Sequence, residues 1–440
     1  RPGAASSSPG ACSVCTGPDG QGDGARLTCD RMKVLVTHPG RQHSHQAALA
    51  LAEAGALAGY WSGVPALPVH FARVPPWLAK RYLRYSPVPL PGEGVRWHPA
   101  TPLLRRAGDA LLPRPLAAWV DYLACRRFDR WVARGLRALA GKPGARPDAV
   151  IACEISAVST FRLARGLGIL ALLDAPSIHH QAQDRLHGFT EPASLHRRIV
   201  AVKDAEIELA DHILTVSELA RATYLEEGAL PEAVHAVMLG ADLTLFGPAG
   251  ERSSGGASFV LVFPGAMIRR KGFDLLVSAF SRLRRHHSDV ELWVAGPAGD
   301  ASAALEEAPT EGIRLLGRLP QSELAQVFRR ADCVVLPSRN DSYGMVVAEA
   351  LAAGRPVIVS EMVGSKELVR PGQNGWVVPV GDAEALYRQL EWCATHRHEV
   401  RSLAAACRAS AAEASWEGYR GRFTRMIAGL VEAHADARRN

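Results

Sequence analysis

From Met32 onward the chain alternates between short apolar runs and longer stretches in which Ala, Leu and Arg recur at helical spacing. The runs "KVLVT", "DAVIAC", "GILALLD" and "HILTVS" are almost wholly apolar, which predicts strands buried on both faces of a parallel sheet. Helical stretches such as "SHQAALALAEAG" lie between them and end on glycine. At "GPAGERSSGGAS", Gly247 to Ser258, the composition turns to Gly and Ser and predicts a linker. A second series follows: "FVLVFPG", "ELWVAG", "IRLLG", "CVVLPS", "PVIVS" and "GWVVP". The pattern predicts an α/β protein with two Rossmann-like domains, at 32–247 and 258–414, closed by a helix over 415–440. Residues 1–31 are rich in Gly, Ser and Pro, lack the apolar core of a signal peptide, and predict a disordered extension.

A chain of 440 residues with 48% hydrophobic and 22% charged content suits a globular protein too long for one compact core. No apolar run approaches the ~18 residues that span a bilayer. The eight cysteines are scattered, and Cys12-x-x-Cys15 has no second CxxC to complete a zinc site. No disulfide framework emerges, which favours a reducing, cytoplasmic compartment. The histidines show no metal-binding spacing, so no metal is expected.

The net charge of +7 is unevenly spread: Phe71 to Ala140 holds 13 Lys+Arg against four Asp+Glu, a local +9. The same window holds Trp77, Tyr82, Tyr85, Trp97, Trp119, Tyr122, Phe128 and Trp131. Two readings stand. One is a solvated basic face over core aromatics; the other is a surface for anionic lipid headgroups or a phosphorylated acceptor, with peripheral membrane contact. No recognition motif accompanies the charge, so nucleic acid is not expected as a partner.

Two stretches carry candidate chemistry. In "PSRNDSYGMVVAEALAAGRPV", Glu349 is the single charge within an apolar run after Asp341. A buried ionised carboxylate is costly unless satisfied, so either a structural partner or a polar ligand belongs there. In "FVLVFPGAMIRRKGFDLLVSAF", a strand ends at Gly265, and Arg269, Arg270 and Lys271 precede Gly272 and a helix. A cationic loop leading into a helix suits a phosphate group.

From "GRLPQSELAQVFRRADCVVLPSRNDSYGMVVAEALAAGRPVIVSEMVGSKELVRPGQNGWVVPVGD" the chain resembles glycosyltransferase family 4, the retaining GT-B enzymes that use nucleotide sugars. The resemblance extends to "ADHILTVSELARATYLEEGALPEAVHAVMLGADLTLF" and to "SWEGY" at the start of the last helix. It implies two sheets facing across a cleft, with a C-terminal helix crossing back to the N-terminal domain. The co-substrate would be a nucleoside diphosphate sugar, with no other cofactor, and the acceptor a glycan, polysaccharide or lipid-linked hydroxyl.

The family's signature is two glutamates with seven residues between them; here the pair is Asp341 and Glu349. By resemblance Asp341 meets the donor sugar, Glu349 accepts from the ribose hydroxyls, and the N–H groups of Ser342, Tyr343, Gly344 and Met345 hold sugar and diphosphate. Gly265 and Lys271 match the family's diphosphate loop. Ala266 stands where an arginine is usual, leaving Arg269 or Arg270 to supply that cation. Gly317 and Arg318 resemble the loop beside the base. In the N-terminal half, "THPGRQHSHQ" with Gly40, Arg41, His43 and His45 would face the acceptor. It has one glycine only, unlike a nicotinamide-binding fingerprint. "LLDAPSIHHQ" offers His179, ahead of His180, as the histidine against the sugar. Two other classes share these features: a GT-B nucleotide-sugar isomerase or epimerase, and an inactive nucleotide-sugar-binding module.

Overall fold

The computed structural model describes residues 32–73, 87–247, 258–306 and 310–439. The extension over 1–31, the aromatics Trp77, Tyr82 and Tyr85, and most of the Gly/Ser linker lie outside the described residues.

Seven strands form the first sheet: β1 (Val34–His38), β2 (Leu57–Ser62), β3 (Arg96–Trp97), β4 (Ala149–Cys153), β5 (Leu170–Ala175), β6 (His212–Thr215) and β7 (Val234–Ala236). Their order is β3-β2-β1-β4-β5-β6-β7. The chain winds outward from β1 to β3, then restarts at β4 on the other side of β1. The sheet therefore reverses direction between β1 and β4, where parallel α/β sheets hold ligands beyond their carboxyl ends.

The second sheet has six parallel strands: β8 (Phe259–Pro264), β9 (Val290–Ala295), β10 (Ile313–Leu315), β11 (Cys333–Leu336), β12 (Val357–Ser360) and β13 (Gly375–Val378). Its order is β10-β9-β8-β11-β12-β13, so the reversal falls between β8 and β11. Alternate residues of β8 enter separate cores. Val260 and Val262 pack with Phe328, Val347 and Leu351, whereas Phe259, Leu261 and Phe263 pack with Phe273, Leu276 and Phe280. Burial on both faces is why β8 is apolar throughout. The GT-B expectation holds in both sheets.

By internal contacts the chain divides into two units. One contains the described residues up to Asp174, Thr190–Ile213 and those from Arg420 on; the other contains Ala175–Phe189 and Leu214–Tyr419. Thus 175–189 and 214–247, expected in the first domain, make their main contacts within the second unit. The last helix, Trp416–Ala437, supplies the return crossing. Arg420 donates to Glu53 at 2.8 Å and Gln46 at 3.1 Å, and Thr424 donates to the Ala50 carbonyl at 3.2 Å.

The longest described element of the basic window is the helix Arg114–Ala140, with Pro115 in its first turn. Ala117, Ala124, Phe128, Val132 and Leu136 form its buried stripe. Asp129, on the same side, is fully buried and accepts from the backbone N–H groups of Ser159 (2.8 Å) and Thr160 (3.0 Å). It thereby caps the next helix, Val158–Leu167, from outside that helix.

Candidate functional site

In the second unit the loops after β8 and β11 meet. Gly272 has φ +71°, and a Cβ there would stand 2.0 Å from the Pro337 carbonyl oxygen. Glycine is required on both counts. Gly265, half-buried, donates to the Ala295 carbonyl at 3.0 Å. The neighbouring Gly296 passes so close to Gly265 that a Cβ would lie 1.7 Å from its oxygen. These contacts bring the cationic turn Arg269–Lys271 against the 338–341 segment.

There Lys271 forms an ion pair with Asp341, both side chains mostly buried. The Arg270 guanidinium donates to the Asn340 carbonyl at 3.0 Å, one residue before that aspartate, while the Arg270 carbonyl accepts from Arg339. Arg269 is exposed; its backbone N–H donates to Asp300. Of the two cations weighed to stand in at Ala266, Arg270 is the one bonded beside Asp341. Arg318 is exposed, after Gly317 at φ +68°.

Asp341 opens a tight turn into the helix Val346–Ala352. Its N–H donates to Met362 and its carbonyl accepts from Gly364, which ties the turn to the segment after β12. Gly344 has φ +84°. Tyr343 is buried, with its hydroxyl on the Leu239 carbonyl, and Ser342 Oγ accepts from Ile178 N–H at 3.2 Å. Among the described residues, no protein acceptor faces the N–H groups of Ser342, Gly344 or Met345. Three unengaged donors beside a lysine are suited to an anion.

Glu349 lies one turn further, 5% exposed. Among the described residues no cation or donor reaches its carboxylate. Burial, with the charge of Asp242 adding to it, pushes its pKa up to about 7. The described residues thus offer no structural partner to explain an isolated carboxylate in this apolar helix.

His179 belongs to this unit too. It is buried, its Nδ1 accepts from Gln181 N–H at 3.3 Å to cap the helix His180–His187, and its ring meets Tyr224 edge-on at 5.0 Å. His180, also buried, lies against it.

In the first unit, the loop after β1 is less open than "THPGRQHSHQ" suggests: Arg41 and His43 are buried and His45 is half-buried. His43 Nε2 meets Asp174 Oδ1 at 3.0 Å. Burial alone would depress His43, but the Asp174 carboxylate raises it; burial would raise Asp174, but His43 holds it down. Gly40 N–H donates to His38 Nδ1 at 2.8 Å, which leaves the proton on Nε2 facing Gln42 Oε1 at 3.4 Å. Burial pushes His38 down to about 4, so the ring is neutral. His45 is likewise pushed down to about 4, by burial and then by Arg41.

Sequence reading missed His38 and Asp174. Both end buried strands that flank β4, a signal available once carboxyl ends are taken as ligand positions. It also missed Ile155, just after β4, a β-branched residue at φ +67°. Glu206 holds that turn by accepting from Ile155 N–H (2.6 Å) and Ala157 N–H (2.7 Å), and burial pushes its pKa up to about 8. No group of three or more His, Cys, Asp or Glu is arranged to hold a metal ion among the described residues.

Residues 258–396 match the family model described as Glycosyl transferases group 1. The D-inositol 3-phosphate glycosyltransferase 1 of Catenulispora acidiphila is 35% identical over 215 residues, 43% of this chain and 50% of that protein. The chain thus spans about half the length of this curated relative. Sucrose-phosphate synthase from Thermosynechococcus elongatus superposes with a TM-score of 0.67 at 19% identity, over 92% of this chain and 100% of that one. Anabaena HepE, solved in complex with UDP, gives 0.61 at 15% identity, over 91% and 100%. At such identities the solved structures speak for the fold alone. Residues 258–396 therefore carry the likeness to the group 1 glycosyl transferases, and the chain's fold is GT-B.

Proposed function

We propose that the protein transfers a hexose-type sugar from a nucleoside diphosphate donor to an acceptor hydroxyl, with retention at the sugar. The observation that carries this reading is Glu349: a buried carboxyl, unpartnered among the described residues, one helical turn beyond unengaged backbone donors and the Lys271–Asp341 pair. Ribose hydroxyls would satisfy Glu349, and the N–H groups with Lys271 and Arg270 would receive the diphosphate. Asp341 would meet the sugar.

The task of such a site is to stabilise negative charge growing on the departing diphosphate while the sugar becomes oxocarbenium-like. Fixed cations and backbone dipoles serve it without reorganising. The leaving phosphate oxygen takes the acceptor's proton, so no protein nucleophile is required. Gly40, Arg41, His43 and His45 would serve the acceptor, with Arg318 beside the base and His179 assigned to the sugar. Relatives named for D-inositol 3-phosphate add a phosphorylated polyol to the acceptors to be tried alongside glycans and lipid-linked sugars.

Radiolabelled nucleotide sugars incubated with the protein and a panel of these acceptors test the reading. Label in an acceptor supports transfer. Altered free sugar would support an isomerase instead, and saturable nucleotide binding without turnover a binding module.

A further inference from the structure

A groove of about 790 Å³ runs between the helices Arg114–Ala140 and Val158–Leu167 of the first unit. Arg127, Arg130, Arg134, Arg137 and Arg162 line it, and no acidic residue does. None of the five pairs with a carboxylate among the described residues. The two acids of the longer helix are committed elsewhere: Asp129 is fully buried under the next helix, and Asp121 is bonded to Arg105. Arg126 is not part of this set, because it turns toward Asp129 at 3.2 Å.

Arginines three and four residues apart on one helix face repel one another. The described residues supply them no counter-charge, so an external anion suits the surface. The same stripe continues toward the helix N-terminus as leucine. Leu116, Leu123, Arg127, Arg130, Arg134 and Arg137 fall on one side of the helix. Leu116 and Leu123 are 51% and 53% exposed. The stripe is about 30 Å long at ~1.5 Å per residue. A soluble phosphate would account for the arginines but leave the leucines in water. A lipid bilayer takes both, with leucine side chains at the acyl boundary and guanidinium groups on headgroup phosphates.

We propose that this face docks on the surface of an anionic lipid bilayer, with the arginine groove receiving headgroup phosphates. No helix among the described residues is long and apolar enough to cross a membrane, so the contact is peripheral. The inference is independent of the glycosyl-transfer reading, and its test uses no turnover.

The intact protein is sedimented with phosphatidylcholine vesicles, alone or with about 30% phosphatidylglycerol, at low and high salt. Wild type should bind the anionic vesicles and ignore the neutral ones. Replacing Arg127, Arg130, Arg134 and Arg162 together by Gln should weaken binding by roughly several hundredfold, and R134Q alone about fivefold. Leu116→Ser with Leu123→Ser should keep low-salt binding and lose what survives at high salt. All of these side chains are surface groups, so melting temperatures should stay near wild type; R134Q keeps the test sound should the fourfold variant fail to fold. Equal binding to neutral vesicles, or R134Q and the fourfold variant binding as wild type, would overturn the proposal. So would capture of soluble inorganic polyphosphate by a protein that ignores anionic vesicles.

Discussion

Replacing Glu349 by Gln should change stability in a direction opposite to that of an ordinary buried ion-pair partner. The folded carboxyl titrates near 7, against 4.5 for the free side chain, because burial and then Asp242 oppose its charge. The folded state therefore holds the proton more tightly than the unfolded one. No penalty exists below about pH 4.5; it grows as pH rises and levels off above about 7. At about 1.4 kcal/mol per pH unit, the plateau is about 3 kcal/mol. Gln cannot titrate, so the variant escapes this loss but carries a pH-independent cost of about 1 kcal/mol for its own buried amide.

The decisive quantity is thus the change with pH. Urea unfolding of both proteins at pH 5 and pH 8 should show the variant gaining about 2–3 kcal/mol relative to wild type between the two. Nucleoside diphosphate affinity should move the other way, falling roughly tenfold or more, since a charge-assisted hydrogen bond is worth about 1.5–3 kcal/mol. Wild-type affinity should also rise with pH through about 7, as the ligand selects the ionised carboxylate. A stability difference that is flat with pH, or that favours wild type more at pH 8, would refute the reasoning and show that a cation satisfies Glu349 in the free protein.

Asp341→Asn should leave nucleoside diphosphate affinity near wild type while turnover falls about 100-fold; calorimetry with single-turnover kinetics checks it, and matching affinity losses in the Asp341→Asn and Glu349→Gln variants would contradict it. Gly272→Ala should cost more than about 3 kcal/mol, from a left-handed backbone and a clash with the Pro337 carbonyl, whereas Gly317→Ala, at similar φ with open space, should cost about 1 kcal/mol in the same denaturant titration. The His43–Asp174 pair should stabilise most between about pH 4 and 6.5. Below that window the benefit from Asp174 is lost as pH falls toward its lowered folded value, and above it the benefit from His43 fades as pH passes its raised folded value. Asp174→Asn should therefore flatten the pH profile of thermal unfolding there, and an unchanged profile would refute the pairing.

The strands that carry the proposed donor site were legible because each is buried on both faces and so is written as an unbroken apolar run. β2, "LAGYWS", was not, since Gly59 and the aromatics break that signature where the backbone of Gly94 approaches. Asp341, Lys271 and Glu349 could be named from motif spacing, and Lys271 and Asp341 do come together across 70 residues of sequence. The environment of Glu349 could not be named, because the lack of a partner is a property of everything packed around it. His43 and Asp174 stand 131 positions apart, and only the order β1-β4-β5 places their strand ends together. His179 reads equally well as a sugar ligand or a helix cap until Gln181 and Tyr224 are seen around it.

The helix that returns from Tyr419 to the first unit also bears on how the chain is made. Residues from Arg420 on are synthesised after all of 214–419, yet they pack on the helix Ser44–Glu53 near the start of the fold. The second unit's sheet, β8 to β13, can assemble while the ribosome is still working. The first unit reaches its final packing only when the last turns emerge, and until then the helix Ser44–Glu53 leaves Ala50 and its neighbours uncovered. Ordinary vectorial folding, first domain first, is thus inverted in its final step. During translation, a chaperone would find its client surface on a helix made well before the second unit's sheet.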